Sequence, residues 1–110
     1  MLKKIAKRIH KTIKLAEDFL EQAMLIKADD MEISDVFANM ASDEINHAEK
    51  LLKEGQRLIE NKKIKTYDTV ETSEAETMHY EKCKAYWEWE HRIATEDIAE
   101  MRYKLSSMRR

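Results

Sequence analysis

Proline is absent from the 110 residues, and Gly55 is the single glycine. Sheets and their tight turns draw on both residue types, so their scarcity favours long helices joined by very few turns. Cys83 is the one cysteine, which excludes an intrachain disulfide framework and a multi-cysteine zinc site and suits a reducing compartment. No apolar run approaches the roughly 20 residues of a membrane span, and no cleavable signal pattern is present. Hydrophobic residues make up 43% and charged residues 38%, a balance that argues against disorder and allows one modest core. The expectation is a single all-α domain, residues 1–110, soluble and cytoplasmic, with no transmembrane segment.

What is present is periodic. Ile5, Ile9, Ile13, Ala16, Leu20 and Met24 make one stripe at helical spacing, which predicts a first helix over about 2–28. Leu15, Phe19 and Ile26 widen that stripe beyond what one neighbouring helix would cover, so a second buried contact such as a subunit interface is expected. "ADDMEIS" breaks the chain. Asp29 or Asp30 can cap the next helix, with Glu32 three residues after Asp29 in the reciprocal capping arrangement. A second helix over about 31–61 should turn Ile33, Phe37, Met40, Leu51, Leu58 and Ile59 inward. Residues 62–72 read as the linker, with Tyr67 and Val70 strapped onto the bundle. Ser73 followed by Glu76 is a capping-box signature, and a third helix over about 73–107 follows along Cys83, Tyr86, Trp87, Ala94, Ile98, Met101 and Leu105.

Net charge is only −2, yet the charges are segregated. Lys3, Lys4, Lys7, Arg8, Lys11 and Lys14 precede the first acid, Glu17, and from there to Glu49 the acids are answered only by Lys27. Such a basic arm can meet a membrane surface, nucleic acid or a container wall. The reading preferred is intramolecular, with no nucleic-acid partner: the arm lies beside the end of the second helix and the acids Glu60, Asp68, Glu71 and Glu74.

Within the second helix, "FANMASDEINHAEKLL" puts Glu44 and His47 on the apolar stripe, three apart and facing one neighbour. A buried carboxylate must be paired or bind a cation, and carboxylate plus imidazole is a ligand set for iron, manganese or zinc. Counting residues outward from each turn places Glu17 of the first helix, and Glu90 and His91 of the third, near the same height. The bland alternative is a Glu–His pair that is purely structural, or an ion pair with a lysine of the arm. His10 and His79 offer no nameable partner.

The same stretch resembles the ferritin-like superfamily, in the second-helix signature of rubrerythrin-like and encapsulated-ferritin-like proteins: a bulky apolar residue, Ala, an acid, Glu-x-x-His-Ala and an acid. The resemblance implies an antiparallel ferritin-like bundle and a di-iron site with Glu17, Glu44 and His47 as ligands. A full bundle of that family has four helices and two half-sites, whereas this chain has three helices. "EWEH" supplies Glu88, Glu90 and His91 as candidates for completion from within. Alternatively a twofold pair of chains supplies four carboxylates and two imidazoles, which implies a homodimer or higher homo-oligomer, with a protein shell or another protein as a possible partner. The implied activity is oxidation of Fe(II); the rival expectation is a metal-free helical interaction module.

Overall fold

A computed structural model describes residues 2–61 and 73–109, with the side chains of 73–77 outside that description. The described residues form three helices and no strand: α1 (Leu2–Ile26), α2 (Met31–Glu60) and α3 (Ser73–Met108). Together they make an elongated helical bundle of 63 × 20 × 17 Å. The expected linker with Tyr67 and Val70, and the Ser73–Glu76 side-chain capping, lie outside the described residues.

The first turn is tighter than expected. α1 stops at Ile26 rather than near residue 28, because the Ile26 carbonyl accepts from the backbone N–H of both Asp29 and Asp30, at 2.9 Å each. Asp30 is the N-cap of α2, extended at φ −154°, ψ 105°, and its carboxylate accepts from the Ile33 N–H at 3.1 Å. The reciprocal box expected from Asp29 and Glu32 does not form. With Asp30 as the cap, its third successor is Ile33, which has no carboxylate to return the bond. Ser34, buried, donates to the Ala23 carbonyl at 2.7 Å and ties the two helices across the turn.

Both helices of this hairpin bury a stripe at alternating four- and three-residue spacing, the repeat of a coiled-coil seam. On α1 it runs Leu2, Ala6, Ile9, Ile13, Ala16, Leu20, Ala23. On α2 it runs Ser34, Ala38, Ala41, Ile45, Ala48, Leu52, Gly55, Ile59. The alanines matter: short side chains at the contact let two helix axes approach at the low end of the usual 8–10 Å, and α1 with α2 is the most extensive helix contact in the molecule.

The inward face of α2 matches expectation at Leu58 and Ile59 but not along the first two thirds of the helix. Ile33 and Met40 are 46% and 38% exposed, and Phe37 and Leu51 are half-buried. Each precedes a core position by one residue, so α2 carries two adjacent stripes, and the larger side chains lie on the outer one. α1 repeats the arrangement: Ile5, Arg8, Thr12, Leu15, Phe19, Gln22 and Ile26 form an outer stripe at the same spacing, with Leu15 42% exposed. Met24, expected on the α1 core stripe, is exposed. The methionines are not gap fillers as a class, since Met24, Met31, Met40 and Met78 are exposed while Met101 is buried.

α3 covers the opposite side of the hairpin. Tyr80 Oη donates to the Ile59 carbonyl at 3.0 Å, and Trp87 Nε1 donates to Gln56 Oε1 at 2.8 Å. Arg102 donates to Asn46 Oδ1 at 3.1 Å and pairs with Glu49, and Arg109 donates to Asn39 Oδ1 at 2.7 Å. Positions thus climb along α3 as they fall along α2. Lys27 Nζ caps the far end by donating to the Met108 carbonyl. Trp87 is fully buried, and Gly55 is its seat: an added Cβ there would lie 2.5 Å from Trp87 Cζ2 and 2.7 Å from Cζ3, and nearer still to Cη2. Gly55 is thus required by this close approach, although glycine inside a helix is otherwise unfavourable.

Candidate metal centre

Glu44 and His47 sit side by side on the outer stripe of α2, with His47 Nδ1 3.4 Å from Glu44 Oε1. Their side chains are 22% and 57% exposed, so the pair lies on the rim of the core and faces away from α3. The expected burial of both groups does not hold, for the same reason that the α2 face differs: the alanine stripe one residue later takes the inside. The pair opens onto a cavity of about 570 Å³, lined also by Leu51, Lys50, Arg8, Lys11, Thr12 and Leu15. Three cations therefore stand around one carboxylate and one imidazole; Lys11 fits the alternative of a lysine from the basic arm, whereas Arg8 and Lys50 were not expected at this site. The signal was available in the spacing, because Arg8, Thr12 and Leu15 share the outer stripe of α1.

Glu17, expected opposite Glu44, lies on the other flank of α1. Its carboxyl is held above the ordinary glutamate range by partial burial first, then by the nearby carboxylate of Asp97, with Asp18 and Glu100 adding to it and Lys104 opposing. Those neighbours place it beside α3. On a helix, Glu17 is two residues, or about 200°, from Leu15, the α1 side chain that lines the cavity with Glu44.

Glu90 and His91 have other engagements. Glu90 accepts from His10 Nε2, joining α1 to α3 and giving His10 the partner that the sequence did not suggest. Glu90 also helps hold the neighbouring Tyr86 phenol above its ordinary range, after burial, which is the larger cause. His91 packs edge-on against Trp87, ring centroids 5.9 Å apart, and its carbonyl accepts from Thr95 Oγ1 at 2.7 Å. Glu88 is exposed, and Trp89 stands in solvent beneath the guanidinium of Arg92, 5.0 Å from the ring centroid. Cys83 Sγ is 3.5 Å from His79 Nε2 in a half-buried pair one helical turn apart.

Glu17, Glu44, His47, Glu90 and His91 are thus not assembled in one chain. Among the described residues, no group of three or more His, Cys, Asp or Glu side chains converges as a metal site. At this site the described residues bring together two donors, Glu44 and His47, short of the four or more that zinc and the transition metals take. No helix among the described residues is long and apolar enough to cross a membrane. Comparison with family models, with curated proteins and with solved structures finds no match to this chain.

Proposed function

We propose that this chain is a ferritin-like, antiparallel half-bundle that self-associates through the outer stripes of α1 and α2, and that the associated form binds iron through Glu44 and His47. The observation that carries the reading is the place of that pair. A carboxylate and an imidazole in contact occupy the middle of an otherwise largely apolar stripe, on the side of the hairpin that α3 leaves free. A second copy across this face doubles the set to two carboxylates and two imidazoles. That is a donor set of the right chemistry for iron, with manganese or zinc as competitors. Bound iron of this kind supplies oxidation of Fe(II) by dioxygen or peroxide; Glu44 and His47 would hold the metal ion. Glu17, on the α3 flank, stays outside this four-donor set.

A second reading rests on a specific observation as well. Arg8, Lys11 and Lys50 line the same cavity and balance Glu44 without any metal, which makes the polar layer a device for fixing register in a helical interaction module. One experiment separates the two. Protein purified without chelator is titrated with Fe(II) under air, and its mass in solution and bound iron are measured beside the Glu44→Ala/His47→Ala double variant. The iron reading expects metal retained by the wild type and lost by the variant. Equal binding and equal oxidation by both proteins would sink it.

A further inference from the structure

Two turns of α1, from Arg8 to Leu15, and two turns of α2, from Glu44 to Leu51, frame the cavity on the open side of the hairpin. Its rim is mostly cationic. Arg8, Lys11 and Lys50 reach it, and none of the three side chains forms an ion pair or hydrogen bond among the described residues. One carboxylate stands among them, Glu44, with His47 Nδ1 3.4 Å from it. Counting His47 as neutral, three cations against one carboxylate leave the cavity a charge of about +2. Like charges gathered around open space repel one another unless an anion joins them.

Thr12 supplies an observation of a different kind. It is only 6% exposed, it lines the cavity, and its hydroxyl makes no hydrogen bond among the described residues. A helical threonine can donate to the carbonyl one turn back, as Thr95 does to His91 at 2.7 Å, but Thr12 does not. Among the described residues, no buried side-chain oxygen or nitrogen is sealed off without a partner, so Thr12 Oγ1 keeps access to open space, and the space beside it is the cavity. Its hydrogen-bond partner therefore lies there.

The remaining walls are apolar: Leu15, Leu51 and the aliphatic stems of the three cations. At about 570 Å³ the cavity falls within the range of roughly 300–1,000 Å³ that small organic ligands occupy, well above what a bare ion fills. A phosphate monoester carries about −1.5 to −2 charge near neutral pH and three acceptor oxygens, which match both the charge and the donors.

We infer that this cavity binds the phosphate group of a small organic phosphate monoester, with Arg8, Lys11 and Lys50 on its oxygens, Thr12 donating to it, and Leu15 and Leu51 against the organic body. The planar fork of Arg8 can grip two oxygens at once. The site needs neither a metal nor a second copy, so it stands apart from the iron reading. The two oppose each other at Glu44, because a carboxylate holds a metal cation and repels a phosphate.

The test is a calorimetric titration of phenyl phosphate into the chelator-treated full chain at about pH 7.5, where the ester is mostly a dianion, with circular dichroism confirming that each variant folds. Arg8→Gln/Lys50→Gln should weaken binding at least about tenfold, and Thr12→Val about threefold or more. Lys3→Gln/Lys4→Gln removes the same charge from positions outside the cavity and should cost less than about threefold. Glu44→Gln should tighten binding about twofold or more, whereas the iron reading expects the same substitution to weaken metal binding. Phosphatidic-acid vesicles offer the same phosphate chemistry on a lipid. Phenyl phosphate bound in solution without pelleting on the vesicles assigns a soluble ligand; pelleting that Arg8→Gln/Lys50→Gln alone abolishes assigns a lipid one. No binding of phenyl phosphate at millimolar concentrations overturns the inference. So does an equal loss in the Lys3→Gln/Lys4→Gln control, or an affinity indifferent to Thr12→Val. Failure here leaves the iron titration untouched, and a protein that binds phosphate but no iron sinks the iron reading alone.

Discussion

The two sides of the α1–α2 hairpin are built from the same helices and differ in what their side chains have to do. The buried side of the hairpin mixes alanines with Ile9, Ile13, Leu20, Ile45 and Leu52, and at one end Trp87 of α3 lies over Gly55, with its indole N–H held by Gln56. The opposite side bears Leu15, Phe19, Phe37 and Met40, all at least partly exposed, with the Phe19 and Phe37 ring centroids 6.3 Å apart. The comparison teaches that close packing and large side chains are alternatives. Where helices approach closely, alanine and glycine are the residues that fit, and bulk is displaced to whichever side has room.

Substitutions break that contrast in graded steps. Trp87→Ala should be the most damaging, at about 3–5 kcal/mol, because it empties the centre of the α3 contact; urea unfolding followed by far-UV circular dichroism measures it. Gly55→Ala should follow. Alanine favours the helix by about 1 kcal/mol, but its Cβ overlaps a buried ring, and overpacking costs about 1–3 kcal/mol. The expected net is a loss of roughly 1–2 kcal/mol, and a stabilised variant would mean that Trp87 does not rest on Gly55.

On the open side the response should be different in kind. Leu15→Ser with Met40→Ser should leave monomer stability within about 0.5 kcal/mol per site, as for other exposed positions, while weakening self-association in sedimentation. Stability losses as large as those at Trp87 would show this side to be core after all.

Glu17→Gln gives the smallest effect and carries a sign. Partial burial and Asp97 raise the folded carboxyl above its unfolded value, so the fold favours the neutral form. That contribution is complete below the unfolded pKa and is lost as pH rises through the folded one. At neutral pH the uncharged amide should therefore be slightly more stable than wild type, within about 0.5 kcal/mol because solvent screens the group. The advantage should vanish as both states protonate in acid. Urea midpoints compared at neutral and acid pH read it directly.

Much of the fold was legible in the chain. The near-absence of glycine and proline predicts long helices, the apolar stripes place three of them, and the observed bounds fall within about two residues of those expected. The face of α2 was legible at Leu58 and Ile59 but not before them, because hydropathy weights Ile33, Phe37 and Met40 above Ala38 and Ala41. Two stripes one residue apart cannot be ranked without knowing how closely the neighbour comes. The candidate site divided in the same way. Glu44 and His47 are in contact as their spacing requires, since three residues make almost one turn whatever the helix packs against. Glu17, Glu90 and His91 depended on height and azimuth between helices, which counting residues from a turn fixes only in part.

The sequence by itself determined the helices, an aspartate cap at the start of α2 and the Glu44–His47 contact, because these follow from interactions within a few residues of chain. It also determined the ordered change of charge along α1, which any fold must carry. Only the tertiary structure decided which stripe α3 would cover, that His10 would meet Glu90, and that Gly55 would receive an indole. Those outcomes depend on how near two helix axes can come, and that distance is set jointly by side chains far apart in the chain.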